Sequence, residues 1–192
     1  MNDIKSLIHL SIFASGGGGN FKYIIENKNI NNIKINSLIV DRDCDAIKLA
    51  KANKIPVLFI KEYDYDNLFN FNQFMDSDIL ILAGFMPIVP SDFIHKLSEQ
   101  KKYLINTHPS LLPKHGGKGM YGVHVQEAVL KNKDKIAGCT AHFVNKEIDG
   151  GKIICQSSTN IPDGISPWDL GGRVFDLEGP NLINAINIVR KI

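Results

Sequence analysis

Short apolar runs alternate with helix-patterned stretches along the first hundred residues, and this alternation constrains the fold more than any other feature of the chain. Residues 7–13 are mostly apolar with little alternation, as expected of a strand buried on both faces of a parallel sheet. They run into Ala14-Ser15-Gly16-Gly17-Gly18-Gly19-Asn20, after which Phe21, Ile24 and Ile25 mark one face of a helix. A second cycle follows: a strand at 35–40, a helix capped by Asp43 and carrying Ala46, Ile47, Leu49 and Ala50, and a short strand at 56–60. Residues 64–75 predict a helix and 78–83 the clearest strand. Ser91 caps a helix with Phe93, Ile94 and Leu97, and residues 103–105 form a fifth strand. Strands alternating with helices predict an α/β fold: a mostly parallel twisted sheet with helices on both faces and ligands outside the carboxyl ends of the strands.

The last eighty residues predict something different. A helix at 123–130 leads to two strands, 138–144 and 152–158, joined around Asp149-Gly150-Gly151 as an antiparallel C-terminal hairpin. Ser166-Pro167-Trp168-Asp169 has a cap residue, then Pro at the first helical position, then Asp at the third. Gly179-Pro180 predicts an interruption of that helix, followed by a second segment with Leu182, Ile183, Ala185, Ile186 and Val189 on one face.

At 192 residues the chain suits a single domain, residues 1–192, and no apolar run approaches the roughly 20 residues of a membrane-spanning helix. Residues 1–6 lack the basic region and apolar core of a signal peptide, which predicts a cytoplasmic protein without membrane attachment. A net charge of +2 gives no broad basic surface, so a nucleic acid is not an expected partner. Cys44, Cys139 and Cys155 are odd in number and widely spaced, unlike a disulfide framework or a metal site, and read as reduced, buried thiols.

The chemistry concentrates in a few stretches. A strand, glycine loop and helix in succession is an arrangement that cradles phosphate on backbone N–H groups, although a tight turn alone would also use glycine. GK[ST] is absent, and Phe21 stands where GxGxxG needs glycine, which disfavours an ATP P-loop and a dinucleotide. Asp41, after the second strand, then reads as a loop or cap residue. Gly84-Phe85-Met86-Pro87-Ile88-Val89-Pro90 reads either as core packing or as the wall of a pocket for a flat, partly apolar ligand.

In Asn106-Thr107-His108-Pro109-Ser110-Leu111-Leu112-Pro113 the fifth strand ends in an amide and an imidazole two residues apart, on the same side of an extended chain. His108 is a candidate general acid or base, Asn106 a donor to an oxyanion, and Asp149 a carboxylate to hold the imidazole. With no Ser or Cys evidently placed as a nucleophile and no HExxH or cysteine cluster, the reading is acyl transfer by direct attack, without a metal. His9 and His142 fall in strands and His95 on a helix, where a structural role is the simpler reading. His115 and His124 flank the glycine-rich stretch 116–122, expected to be mobile, and have no evident acidic partner in sequence.

Asn106 to Pro113 resembles the signature of folate-dependent formyltransferases, and so do Ser15-Gly16-Gly17-Gly18-Gly19-Asn20, Leu82-Ala83-Gly84-Phe85-Met86 and Gly138-Cys139-Thr140-Ala141-His142-Phe143-Val144 leading to Asp149. The four motifs occur in that family's order and cover nearly the whole chain. The resemblance implies a Rossmann-like formyltransferase domain and transfer of a formyl group from 10-formyltetrahydrofolate to the amine of 5-phosphoribosylglycinamide in purine synthesis, as a monomer or homodimer and with no metal. It makes Asn106, His108 and Asp149 catalytic and gives the substrate phosphate to Gly18, Gly19 and Asn20. It also puts Glu178 beside the substrate amine and the folate against Met86, Pro87, Ile88, Val89 and Asn106. Well-known family members carry Arg where this chain has Pro87, and Ser is common where it has Gly19. The length suggests neither the extra C-terminal domain of the methionyl-tRNA enzymes nor the N-terminal one of the formyl-folate hydrolases.

Overall fold

The computed structural model describes residues 6–60 and 64–192, so the N-terminal reading of residues 1–5 lies outside the described residues. Two units of chain emerge, residues 1–105 and residues 106–192.

In the first unit four strands pair in parallel. β1 (Ile8–Ala14) lies between β2 (Ile33–Val40) and β4 (Ile79–Leu82), and β3 (Val57–Phe59) flanks β2. Leu10, Ile12 and Phe13 of β1, Leu38, Ile39 and Val40 of β2, and Ile79, Leu80 and Ile81 of β4 are all inaccessible to solvent, which is why these strands are rich in apolar residues without regular alternation. Helix α1 (Gly19–Asn27) buries Phe21 and Ile24, and α2 (Ala46–Ala52) buries Ala46, Ile47 and Ala50. Register slips by one residue between Leu10 and Ser11, so that Leu10 faces Ile35 while Ser11 faces Ser37, and Asn36 is the bulged residue. Its side chain is not stranded. Asn36 Nδ2 donates to Ser77 Oγ at 3.2 Å and Asn36 Oδ1 lies 3.2 Å from His9 Nδ1. Ser77 Oγ donates to the Gln73 carbonyl, so Ser11 must donate to Ser77 (2.8 Å) and Ser37 to Ser11 (2.7 Å), a one-way chain of buried hydroxyls.

Several local expectations are corrected. Asp43 does not cap α2: Asp45 occupies the N-cap, makes no side-chain cap bond, and pairs with Lys48 at 2.6 Å. Ser91 is the first residue of α4 (Ser91–Glu99), Pro90 being the N-cap. The single helix expected at 64–75 is a 3-10 helix, Asp66–Asn70, and a short α3 (Asn72–Met75), broken at the extended residue Phe71. The rings of Tyr65, Phe69 and Phe74 close on Phe93 of α4 with centroids 5.1, 5.5 and 6.1 Å away, and that clustering sets the chain path against helix continuity.

The fifth strand, β5 (Tyr103–His108), does not stop at Ile105 but carries Asn106 and His108 within it, and Pro109 follows directly. In the second unit, α5 (Val123–Lys131) precedes β6 (Ile136–Phe143) and β7 (Ile153–Asn160), which pair antiparallel as the sequence predicts. Helix α6 (Pro167–Val189) packs on both strands and on α5. Its start is as expected, with Ser166 Oγ accepting from Asp169 N at 3.1 Å and Pro167 at the first position. Its interior is not: α6 continues through Gly179 and Pro180 without interruption. Leu170, Val174, Glu178, Leu182 and Ile186 recur every four residues and are all buried, so packing holds together a helix that Pro180 alone would weaken by about 3 kcal/mol. Cys139 is buried as expected, whereas Cys44 and Cys155 are half-buried, and all three are free. The fold is therefore α/β, with parallel strands in the first unit and an antiparallel C-terminal hairpin in the second. Among the described residues no helix is long and apolar enough to cross a membrane.

Candidate functional site

Two loops of the first unit leave the carboxyl ends of β1 and β4 side by side. Ser15 N donates to the Gly84 carbonyl at 3.1 Å, and Ser15 Oγ accepts from Met86 N at 2.9 Å, tying the glycine loop to the apolar loop. Gly18 caps α1 with φ of 72°, and a Cβ there would stand 2.9 Å from that of Ala46, so this position needs glycine for both its conformation and its space. Gly16 and Gly17 face open space, and Asn20 is buried in the first turn of α1. The result is a backbone concavity at a helix N-terminus, suited to an anion. Asp41 lies beside it, as a loop residue. Burial pushes its carboxyl up, but hydrogen bonds from Arg42 (2.7 Å) and Ser15 outweigh that and leave it below the usual carboxylate range. On the apolar loop Met86 and Ile88 are exposed and Val89 is buried.

The second unit brings Asn106, His108 and Asp149 together. Strand alternation turns Asn106 and His108 to one side of β5. Asp149 arrives from the loop between β6 and β7, where Gly150 N donates to the Glu147 carbonyl (3.1 Å) and Asn145 Oδ1 accepts from Glu147 N (2.9 Å). At Gly151 a Cβ would fall 1.6 Å from the Phe143 carbonyl oxygen, which explains the glycine there. Asp149 itself has φ of 55°, a left-handed conformation that Asp tolerates better than most residues. Its Oδ2 lies 3.4 Å from His108 Nδ1 and accepts from Gly117 N at 2.9 Å. His108 Nε2 donates to the His115 carbonyl at 2.9 Å.

His142, read from sequence as a structural histidine, belongs to this group. Its Nδ1 donates to the Phe143 carbonyl at 2.9 Å, leaving Nε2 to accept from Asn106 Nδ2 at 3.2 Å, and the same Nε2 lies 3.7 Å from Asp149 Oδ1. Burial pulls His142 below the ordinary imidazole value against the opposing pull of the Phe143 carbonyl and Asp149, consistent with a neutral ring. That neutral ring fixes the orientation of the Asn106 amide and leaves its second N–H unused by His142. The available signal was alternation along β6, which puts Thr140 and His142 on one face. His115 and His124 also have acidic partners, contrary to the sequence reading: His115 Nε2 lies 2.7 Å from Asp134 Oδ2, and His124 Nδ1 lies 3.1 Å from Glu127 Oε2 on the exposed face of α5. Glu178 is buried on α6, where its charge adds to burial in pushing the Cys139 thiol up to about 12. Among the described residues no group of three or more His, Cys, Asp or Glu side chains is arranged to hold a metal ion.

An amide N–H, an imidazole and a carboxylate held this way can stabilise an oxyanion and move a proton at one carbon centre. The family model for formyl transferase matches residues 8–186, and the chain belongs to that family. Within it, the chain is similar to phosphoribosylglycinamide formyltransferases. It is 32% identical to the chloroplastic enzyme of Arabidopsis thaliana over 94% of this chain and 64% of the relative. It is also 32% identical to the Escherichia coli enzyme, over 87% of this chain and 80% of the relative. The chain thus spans about 64% and 56% of the length of two plant relatives, that of Arabidopsis and that of Vigna unguiculata. Among solved structures, the phosphoribosylglycinamide formyltransferase of Anaplasma phagocytophilum superposes with a TM-score of 0.85 at 26% identity, covering 97% of this chain and 88% of that one. That of Brucella melitensis gives 0.83 at 27%, covering 96% of each.

Proposed function

We propose that this chain transfers the formyl group of 10-formyltetrahydrofolate to the amine of 5-phosphoribosylglycinamide, as a single formyltransferase domain working in the cytoplasm as a monomer or homodimer. The observation that carries the reading is the grouping of Asn106, His108 and Asp149, with His108 Nδ1 3.4 Å from the carboxylate. The family match over residues 8–186 and the names of the relatives supply the substrates.

The first unit binds. The glycine loop and the first turn of α1, with Gly18, Gly19 and Asn20, take the substrate phosphate on backbone N–H groups. The exposed apolar side chains of Met86 and Ile88 give the folate an apolar surface, and Pro87 and Val89 meet it through the backbone of the same loop. Where family members have Arg, Pro87 leaves only backbone contacts.

The second unit reacts. The neutral amine attacks the formyl carbon, forming a carbon–nitrogen bond and an oxyanion. The second N–H of Asn106 and protonated His108 donate to that oxyanion, and Glu178 orients the amine. Collapse breaks the bond to the folate nitrogen, which takes up a proton as the former amine loses one. His108 Nδ1, beside Asp149, handles that exchange.

The test is to mix the protein with 10-formyltetrahydrofolate, with and without 5-phosphoribosylglycinamide, and follow tetrahydrofolate. Release that depends on the amine is expected. Release without it would indicate a hydrolase, and no release in either mixture would overturn the reading.

A further inference from the structure

Residues 115–117 form a strap against the reacting groups, and its backbone touches both. The His115 carbonyl takes the Nε2 proton of His108 at 2.9 Å, and Gly117 N–H donates to Asp149 Oδ2 at 2.9 Å. A carbonyl oxygen only accepts, so Nε2 carries a proton whether the His108 ring is charged or neutral. The neutral ring then has its lone pair on Nδ1, the nitrogen facing Asp149. The strap therefore selects the working nitrogen of His108.

What holds the strap is less obvious than what it holds. His115 has φ of 54°, in the left-handed region that is uncommon for a residue with a Cβ. Gly116 packs tightly, since a Cβ there would stand 2.5 Å from Leu112 Cδ2 and 3.3 Å from Asp149 Cβ. A further restraint is the His115 side chain, whose Nε2 meets Asp134 Oδ2 at 2.7 Å with both side chains largely buried. Asp134 sits in the connection between α5 and β6, where its backbone N donates to the Val129 carbonyl at 3.3 Å, and its Oδ1 accepts from Asn132 Nδ2 at 2.9 Å and Lys114 Nζ at 3.1 Å. It is thus tied to regular structure on one side and to the strap on the other.

We propose that Asp134 is a positioning residue for His108: by gripping the His115 side chain it fixes the His115 carbonyl on Nε2 and so reserves Nδ1 for the reacting proton. The kinetic part of this proposal rests on the formyl-transfer reading, whereas the tautomer of His108 does not. The experiment compares Asp134→Ala, His115→Ala, the double variant and Lys114→Ala, each first checked for a native thermal transition. Two-bond proton–nitrogen NMR spectra of the free protein, recorded at a pH high enough for the ring to be neutral, report which His108 nitrogen keeps its proton, and steady-state assays report kcat and KM.

Expected for either single variant are loss of the fixed Nε2–H signature and a fall in kcat of about tenfold, with KM for both substrates within about twofold. The double variant should be no worse than either single one, because the two side chains form one tether. Lys114→Ala, which breaks a different pair of Asp134, should leave signature and kcat unchanged. An unchanged His108 signature in Asp134→Ala, additive losses, or a Lys114→Ala enzyme equally impaired would each overturn the proposal. A wild-type protein with no formyl transfer but with the expected NMR changes would remove the proposed reaction and leave the tether standing.

Discussion

Asp149 combines a charge, a left-handed backbone and an accepted hydrogen bond from Gly117, and these can be separated by substitution. Asn tolerates the same backbone region and its amide oxygen can still accept from Gly117, so Asp149→Asn should leave unfolding free energy within about 1 kcal/mol of wild type. Formyl transfer should fall by about a hundredfold or more in kcat, because the group that balances a charged His108 is gone. Equal kcat in the two proteins would remove the carboxylate from the mechanism. His142 makes a second prediction. Its folded value is depressed by burial, so the unfolded chain binds the extra proton first as pH falls. Stability is fully present above about pH 6.5 and declines below it, toward the lower folded value. Urea unfolding between pH 7 and 5 should show a shallower loss for His142→Gln than for wild type. His142 also shows a limit of sequence reading: Asn106, His108 and Asp149 were legible as chemistry-bearing types in a patterned stretch. Its partnership with Asn106 spans thirty-six positions and depends on strand pairing. The His115–Asp134 contact escaped for the same reason.

Individual elements were legible where one local rule decided them. Ser166 is such a case, since a cap, a first-position Pro and a third-position Asp all agree, and Ser166→Ala should cost about 1 kcal/mol in thermal or urea unfolding with activity retained. No change in stability would mean that the cap bond to Asp169 contributes nothing. Of the expected caps, Asp43 lost the position to Asp45, a second acidic residue near the same helix start, and Ser91 lost it to Pro90, since sequence does not say which residue turns first. Pro180 misled in the opposite direction. The four-residue spacing of Leu170, Val174, Glu178, Leu182 and Ile186 runs straight through it, so the burial pattern held the answer that the proline obscured. Residues 64–75 broke into two short helices because aromatic packing against Phe93, a tertiary contact, decided the path.

At the scale of the molecule, the parallel strands were legible because burial on both faces leaves its mark in composition, and the antiparallel hairpin because two strand-like runs flank the Asp149-Gly150-Gly151 turn. The polar contents of the first unit were not legible, since an isolated serine in an apolar run looks the same whether it is partnered or not. The chain Ser37 to Ser11 to Ser77 is fully buried, and Ser11 is the link that serves both neighbours. Ser11→Ala should therefore destabilise the protein by about 1–3 kcal/mol in urea unfolding, more than Ser37→Ala, and the double variant should cost less than the sum of the two. Strict additivity would mean that the hydroxyls act independently. The same chain acts as an alignment key for the sheet. Apolar strands this uniform could slide by two residues and still bury their side chains, but any such slide would leave three hydroxyls and a bulged amide facing hydrocarbon. Mispaired arrangements are thus penalised by polarity, where hydrophobicity alone could not tell them apart.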